Sequence, residues 1–142
     1  MRLLIDTQVL LWAIQGDTEF LPQGIRDLLI DPENDVFVSI ASYWEIAIKQ
    51  KNNMQKMADG KQVTDSDMPW KSSVQALEHL AVDQEMLTLG ITTDAVEHTK
   101  LLPLDHKDPF DRIIAAAAVT AGMRLVSSDA AMDYFTVDRI WG

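Results

Sequence analysis

Four carboxylates stand out in a chain of 142 residues: Asp6, Glu45, Asp111 and Asp129. Asp6 ends the apolar run Leu3-Leu4-Ile5, and Asp129 follows Leu125-Val126-Ser127-Ser128. Glu45 lies between Trp44 and Ile46-Ala47-Ile48, a setting in which a buried charge is costly unless something binds it. Asp111 closes Asp108-Pro109-Phe110-Asp111 at the head of a pattern that is apolar nearly all round. Each acid also has a local explanation. Asp is a favoured helix N-cap, which suits Asp6 before Thr7 and Asp129 before Ala130. Ser42-Tyr43-Trp44-Glu45 fits a capping box, and Lys49 stands one turn on as an ion-pair partner for Glu45. Asp108 before a proline is a strong cap signal, and Asp111 at the third helical position favours the helix dipole. One residue suffices to cap, so Asp108 is assigned to the cap and Asp111 to chemistry.

The joint pattern says more than its parts. Four carboxylates delivered to one edge of one sheet cannot all stay ionised without a counter-cation. Oxygen-only ligands suit Mg²⁺ or Mn²⁺. Such an ion aligns a phosphodiester, activates a water and stabilises the leaving oxygen. Metal-assisted phosphodiester hydrolysis is the chemistry implied.

The elements that must position these acids are short apolar strands alternating with helices. Strands are expected at Arg2–Ile5, Val36–Val38, Met86–Leu89, Leu125–Val126 and Val137–Trp141. Helices are expected from Thr7 to Ile14, from Pro22 through Leu29, from about Ser42 to Met57 with Gly60 as its stop, from Pro69 through Leu80, from Thr92 to Leu101, from Asp108 to Gly122, and briefly over Ala130–Tyr134. Residues 59–69 are the most loop-like stretch. The alternation describes an α/β domain with a mostly parallel sheet. Ligands of such sheets bind beyond the carboxyl ends of the strands, where Asp6 and Asp129 stand.

Composition narrows the function classes. The length is that of a single domain over residues 1–142, and 47% apolar with 24% charged residues is ordinary globular composition. With no cysteine, a disulfide scaffold, a cysteine zinc site and a thiol nucleophile are excluded. The net charge of −10 argues against broad polyanion binding. Residues 49–61 reverse the sign locally, with Lys49, Lys51, Lys56 and Lys61 against Asp59 alone, as either a solvated helix face or a contact for a nucleic acid or partner. No run of apolar residues is long enough to span a membrane or serve as an export signal, so the cytoplasm is the expected location. His79 and His98 read as helix-surface residues. His106, beside Lys107, lies in the loop before Asp108, where a substrate phosphate can approach.

Leu3-Leu4-Ile5-Asp6-Thr7, Ser42-Tyr43-Trp44-Glu45-Ile46-Ala47-Ile48-Lys49, Leu102-Pro103-Leu104 leading into Asp108-Pro109-Phe110-Asp111-Arg112, and Leu125-Val126-Ser127-Ser128-Asp129 together resemble the PIN-domain signature, in particular that of VapC-type toxins of bacterial toxin–antitoxin pairs. The likeness spans essentially the whole chain. It implies a three-layer α/β/α domain around a parallel sheet of about five strands, and a Mg²⁺- or Mn²⁺-dependent endoribonuclease. It places Asp6, Glu45, Asp111 and Asp129 in the family's acidic quartet, with Thr7 as the small hydroxyl residue beside the first acid. It further implies a homodimer and a cognate antitoxin whose tail covers the active site. Thr7, Lys49, His106, Lys107 and Arg112 are the expected contacts to the RNA substrate. Ser128 and Asp105 depart from the pattern, standing where a basic residue and a histidine-rich approach are expected. Two rival readings stay open: a catalytically silent PIN-like module that binds a protein partner, and a small α/β protein whose four acids are only caps.

Overall fold

The computed structural model describes residues 1–63 and 71–142. Five parallel strands form one sheet in the order β3-β2-β1-β4-β5. They are β1 (Arg2–Ile5), β2 (Asp35–Ser39), β3 (Leu87–Leu89), β4 (Arg124–Val126) and β5 (Arg139–Ile140). Six α-helices are described: α1 (Thr7–Gln15), α2 (Gln23–Ile30), α3 (Ile40–Ala58), α4 (Val74–Asp83), α5 (Thr93–His98) and α6 (Pro109–Ala121). Short 3₁₀ segments add Thr18–Phe20, Thr99–Leu101 and Ala130–Phe135. The α/β class and the parallel five-stranded sheet expected from the sequence are therefore observed. The expected helix start at Pro69 lies outside the described residues; α4 is capped by Ser73, whose side chain accepts from the Ala76 amide at 3.2 Å.

β1 is the central strand, with Leu4 opposite Phe37 of β2 and Leu125 of β4. Successive strand residues face opposite sides of a sheet, and the core divides accordingly. Leu3 and Ile5 pack on one side with Val9, Leu10, Ile25, Ile46 and Leu77, so α1, α2, α4 and part of α3 cover that face. Leu4 packs on the other with Ile114, Leu125, Met132 and Phe135, beneath α6 and the 130–135 turn. Ala115, Ala116, Ala117 and Ala118 are all buried and point all round the helix, so α6 is packed against α3 and α5 as well as the sheet. β1 is buried on both faces, which is why it reads as an uninterrupted apolar run. Gly122, at φ 65°, ends α6 in the left-handed conformation that glycine takes without penalty.

The strand order reverses beside β1: β2 and β3 continue to one side, β4 and β5 to the other. The crevice at such a switch point, outside the carboxyl ends of the strands, is where open α/β sheets bind their ligands. β1, β2 and β4 end there at Ile5, Ser39 and Val126.

Candidate metal centre

Asp6 is the first residue beyond β1. Its amide donates to the Val126 carbonyl at 3.1 Å, tying the ends of β1 and β4 together. Its Oδ1 accepts from the Val9 amide at 2.9 Å, so the cap reading of Asp6 holds. The Ser127 hydroxyl also bonds to this carboxylate. Asp6 is 9% exposed. Burial pushes its carboxyl from the ordinary 3.8 up to about 6, against the pull of the Ser127 and Val9 hydrogen bonds, and the charges of Asp111 and Glu45 push the same way as burial.

Glu45 reaches the same place from β2. The capping box expected at Ser42 does not form. β2 runs directly into α3, so the last extended residue, Ser39 (φ −72°, ψ 142°), takes the N-cap and accepts from the Ala41 amide at 3.0 Å. Ser42 falls inside the first turn of the helix, fully buried, and its Oγ accepts from the Thr7 hydroxyl at 3.0 Å. Thr7 is itself buried, so its hydroxyl is spent on the α1–α3 junction. Glu45 thus has no cap to serve. Its carboxylate, on a side chain 12% exposed, lies 3.5 Å from the Lys49 ammonium, as the spacing of one helical turn anticipates.

Asp108 caps α6, its Oδ1 accepting from the amides of Phe110 at 2.9 Å and Asp111 at 3.4 Å. Asp111 is left free to face His106, whose Nε2 stands 2.7 Å from its Oδ2. Burial raises the Asp111 carboxyl, the His106 hydrogen bond opposes this, and the charges of Asp108 and Glu45 add to the rise. The His106 ring lies edge-on to Phe135 at 5.2 Å. Arg112 turns away from the crevice: its guanidinium donates to the carbonyls of Thr99 at 2.8 Å, His106 at 3.1 Å and Leu102 at 3.2 Å, and to that of Pro103. Lys107 is exposed.

Asp129 is exposed and caps the 130–135 turn, Oδ1 accepting from the Ala131 amide at 2.9 Å. Its own amide donates to Ser127 Oγ at 3.1 Å. Ser127 therefore bridges the Asp6 carboxylate and the Asp129 main chain. The Arg139 guanidinium fixes this corner by donating to the Ser127 carbonyl at 3.1 Å while pairing with Asp133 at 2.7 Å.

Asp6, Glu45 and Asp111 are thus within mutual electrostatic reach at the switch-point crevice, and Asp129 borders them through Ser127. Among the described residues no three His, Asp or Glu side chains close around one point tightly enough to hold an ion. Each carboxylate is instead held by a protein donor: Asp6 by Val9, Glu45 by Lys49, Asp111 by His106, Asp129 by Ala131. The donor chemistry fits a hard divalent cation nonetheless: the groups are carboxylates, and burial, with a smaller push from their neighbours' charge, raises Asp6 and Asp111. Sequence reasoning missed the roles of Ser39 and Ser127, small hydroxyl residues at the end of a buried strand or just beyond, and gave Ser42 the cap that Ser39 takes. A cavity of about 750 Å³ lies elsewhere, lined by Leu21, Arg26, Asp35 and Met86 near the amino ends of β2 and β3, and touches none of these acids.

Comparison with known proteins agrees with this fold. The family model described as PIN domain matches residues 3–136. No curated protein sequence matches the chain. Among solved structures, the fold is similar to a chain of VapBC2 from Rickettsia felis bound to a DNA fragment from the promoter, with 12% identity, TM-score 0.66 and full coverage of both chains. It is similar to VapBC-1 from nontypeable Haemophilus influenzae at 16% identity and TM-score 0.58, covering 100% of this chain and 97% of that one. A toxin-antitoxin complex from Klebsiella pneumoniae gives 17% identity and TM-score 0.51, covering 96% and 94%. At these identities the likeness speaks for the fold, while the family model speaks for descent. From residue 3 to residue 136, with an acidic crevice at the carboxyl edge of a parallel sheet, this chain belongs to the PIN domain family.

Proposed function

We propose that the chain is a metal-dependent endoribonuclease, the VapC-type toxin of a toxin–antitoxin pair, working in the cytoplasm as a homodimer. The carrying observation is the convergence of Asp6, Glu45 and Asp111 at the switch point, with the Asp6 carboxyl pushed up to about 6 in their midst. A carboxyl so raised by burial beside other acids in a crevice is a functional-site signature. Asp6, Glu45 and Asp111 would hold Mg²⁺ or Mn²⁺, with Asp129 as a fourth ligand or as the base for water. When bound, the ion supplies Lewis-acid activation of a phosphodiester and of a water.

The chain's own groups do the positioning. Val9 and Ser127 fix one orientation of the Asp6 carboxylate. His106 fixes that of Asp111, and Arg112 holds the loop that carries His106. Were Glu45 to hold the ion, Lys49, its present partner, would be the ammonium on hand for a substrate phosphate. Lys107 lies exposed on the approach. Similarity to chains in VapBC and toxin-antitoxin complexes supports an antitoxin partner for this one.

The test is cleavage of a labelled RNA pool in Mn²⁺ by wild type and Asp6→Asn. Wild type is expected to cut and the variant to be silent; equal cleavage would mean that the site is misplaced. The net charge of −10 favours a second reading, a silent module that binds a protein partner. Metal binding without cleavage of any RNA would select it.

A further inference from the structure

The nuclease reading leaves one feature beside the acids without a role. Trp44 is 60% exposed at the start of α3, and the core makes little use of it. Its ring meets that of Phe110 at 5.3 Å in an edge-to-face arrangement, with the planes at 88°. That geometry suits the two ring quadrupoles and leaves each ring a face its partner does not cover. The pair is also placed by the chain itself: Trp44 immediately precedes Glu45, and Phe110 immediately precedes Asp111. Two of the candidate ligands therefore each carry an aromatic neighbour, from different elements, and the two neighbours meet. Beside them a cavity of about 400 Å³ opens between α3 and the start of α6, lined by Glu45, Ile48, Lys49, Asn52, Asp108 and Phe110.

We propose that Trp44 and Phe110 form a platform on which an unpaired base of single-stranded RNA stacks, next to the phosphate presented to the carboxylates. The inference rests on the nuclease reading above and names two rings that would touch its substrate. Glu45 and Phe110 line the same cavity, so a strand whose phosphate reaches Glu45 through it lies beside the Phe110 ring that Trp44 meets.

The charge balance favours stacking over phosphate neutralisation. With a net charge of −10 and Arg112 turned onto main-chain carbonyls, Lys49 and Lys107 are the two cations this reading leaves to grip phosphates. Affinity of the usual electrostatic kind is correspondingly small. Stacking on an aromatic ring needs no net positive charge and accepts any base, because every base has a π-face. It does require that the base be unpaired, which selects loops and single strands over helices.

The test compares Trp44→Leu, which keeps apolar bulk without a ring, with Trp44→Phe, which keeps a ring. Both are measured with Asp6 intact, on probes with phosphorothioate linkages, so that the carboxylate site is kept while the probe resists cleavage. Fluorescence anisotropy in Mn²⁺ reads binding of a labelled single-stranded 12-nucleotide RNA and of an abasic ribose-phosphate chain of the same length. Light scattering reads the oligomeric state, and cleavage of unmodified RNA by the chain without substitution is scored alongside.

Trp44→Leu is expected to weaken RNA binding roughly 5- to 100-fold, the effect of losing one stacked base. It should leave abasic binding unchanged, and Trp44→Phe should retain most of the affinity. If the intact chain cuts RNA but Trp44→Leu binds it as tightly as its parent, the platform falls and the nuclease stands. If affinity is lost together with a change in oligomeric state, the rings belong to a contact between copies and the platform falls. If the intact chain cuts no RNA, the nuclease reading fails and takes the platform with it.

Discussion

His106 Nε2 and Asp111 Oδ2 stand 2.7 Å apart, joining the loop before α6 to the acid in its first turn. The bond opposes the rise that burial imposes on Asp111 and holds its carboxylate in one orientation. Partners of this kind around a metal ligand are commonly worth about 10- to 100-fold in affinity or activity. His106→Ala is therefore expected to lower the RNA cleavage rate by roughly that factor with the fold intact, and His106→Gln, which keeps a donor, to restore part of it. Cleavage rates in Mn²⁺ with circular dichroism as the fold control check this; an unaffected His106→Ala would remove the residue from the site.

Asp6 predicts a pH-dependent stability difference. Its folded carboxyl titrates near 6 against an ordinary 3.8, so the folded state holds the proton more tightly than the unfolded chain. Stability from this group is fully present below about pH 4 and is lost as the pH rises through 6. Asp6→Asn keeps a good cap residue at the head of α1 and removes the charge. In metal-free buffer the variant should be more stable than wild type at pH 7.5, by on the order of 1–3 kcal/mol, and the gap should close toward pH 4. Thermal unfolding at a series of pH values measures it, and a constant gap would contradict the assignment.

Arg112 should matter for the loop at residues 99–106 more than for direct contact with RNA. Four carbonyls share its guanidinium, a planar fork that lysine cannot imitate. Both Arg112→Lys and Arg112→Ala are expected to destabilise the protein by about 1–3 kcal/mol and to speed hydrogen exchange across the loop. Unchanged protection there, with RNA affinity reduced, would make Arg112 a substrate contact instead.

The start of α3 separates two serines. Ser39→Ala removes the observed cap and should cost about 1 kcal/mol. Ser42→Ala removes the buried partner of the Thr7 hydroxyl, a loss of similar size. Replacing Glu45 by Gln should leave stability nearly unchanged, since Glu45 caps nothing. Chemical denaturation of the three variants measures this; a destabilised Glu45→Gln would return Glu45 to a capping role.

Much of the fold was legible because the strands are buried and short. The apolar runs of β1, β2 and β4 and the apolar face of α6 announce themselves, and Asp108-Pro109 and Thr92 marked helix starts correctly. The start of α3 was misread because β2 enters it without a loop, and a capping-box pattern three residues on competed with the real cap at Ser39. The last strand is shorter than its apolar pattern, because Val137 and Trp141 pack into the core from outside the ladder. At the site, the strand ends placed Asp6 and Asp129 at the carboxyl edge of the sheet, where the structure has them. Sequence carried no sign of which hydroxyl meets which acid, since the Ser127–Asp6 and Ser42–Thr7 bonds join residues far apart in the chain.

The central claim is that Asp6, Glu45 and Asp111 share one divalent ion, and calorimetric titration of Mn²⁺ into wild type and Asp6→Asn tests it most directly. Saturable binding to wild type that is lost in the variant is the predicted result. Heats that are absent from both proteins, or identical in both, would contradict a carboxylate centre built on Asp6.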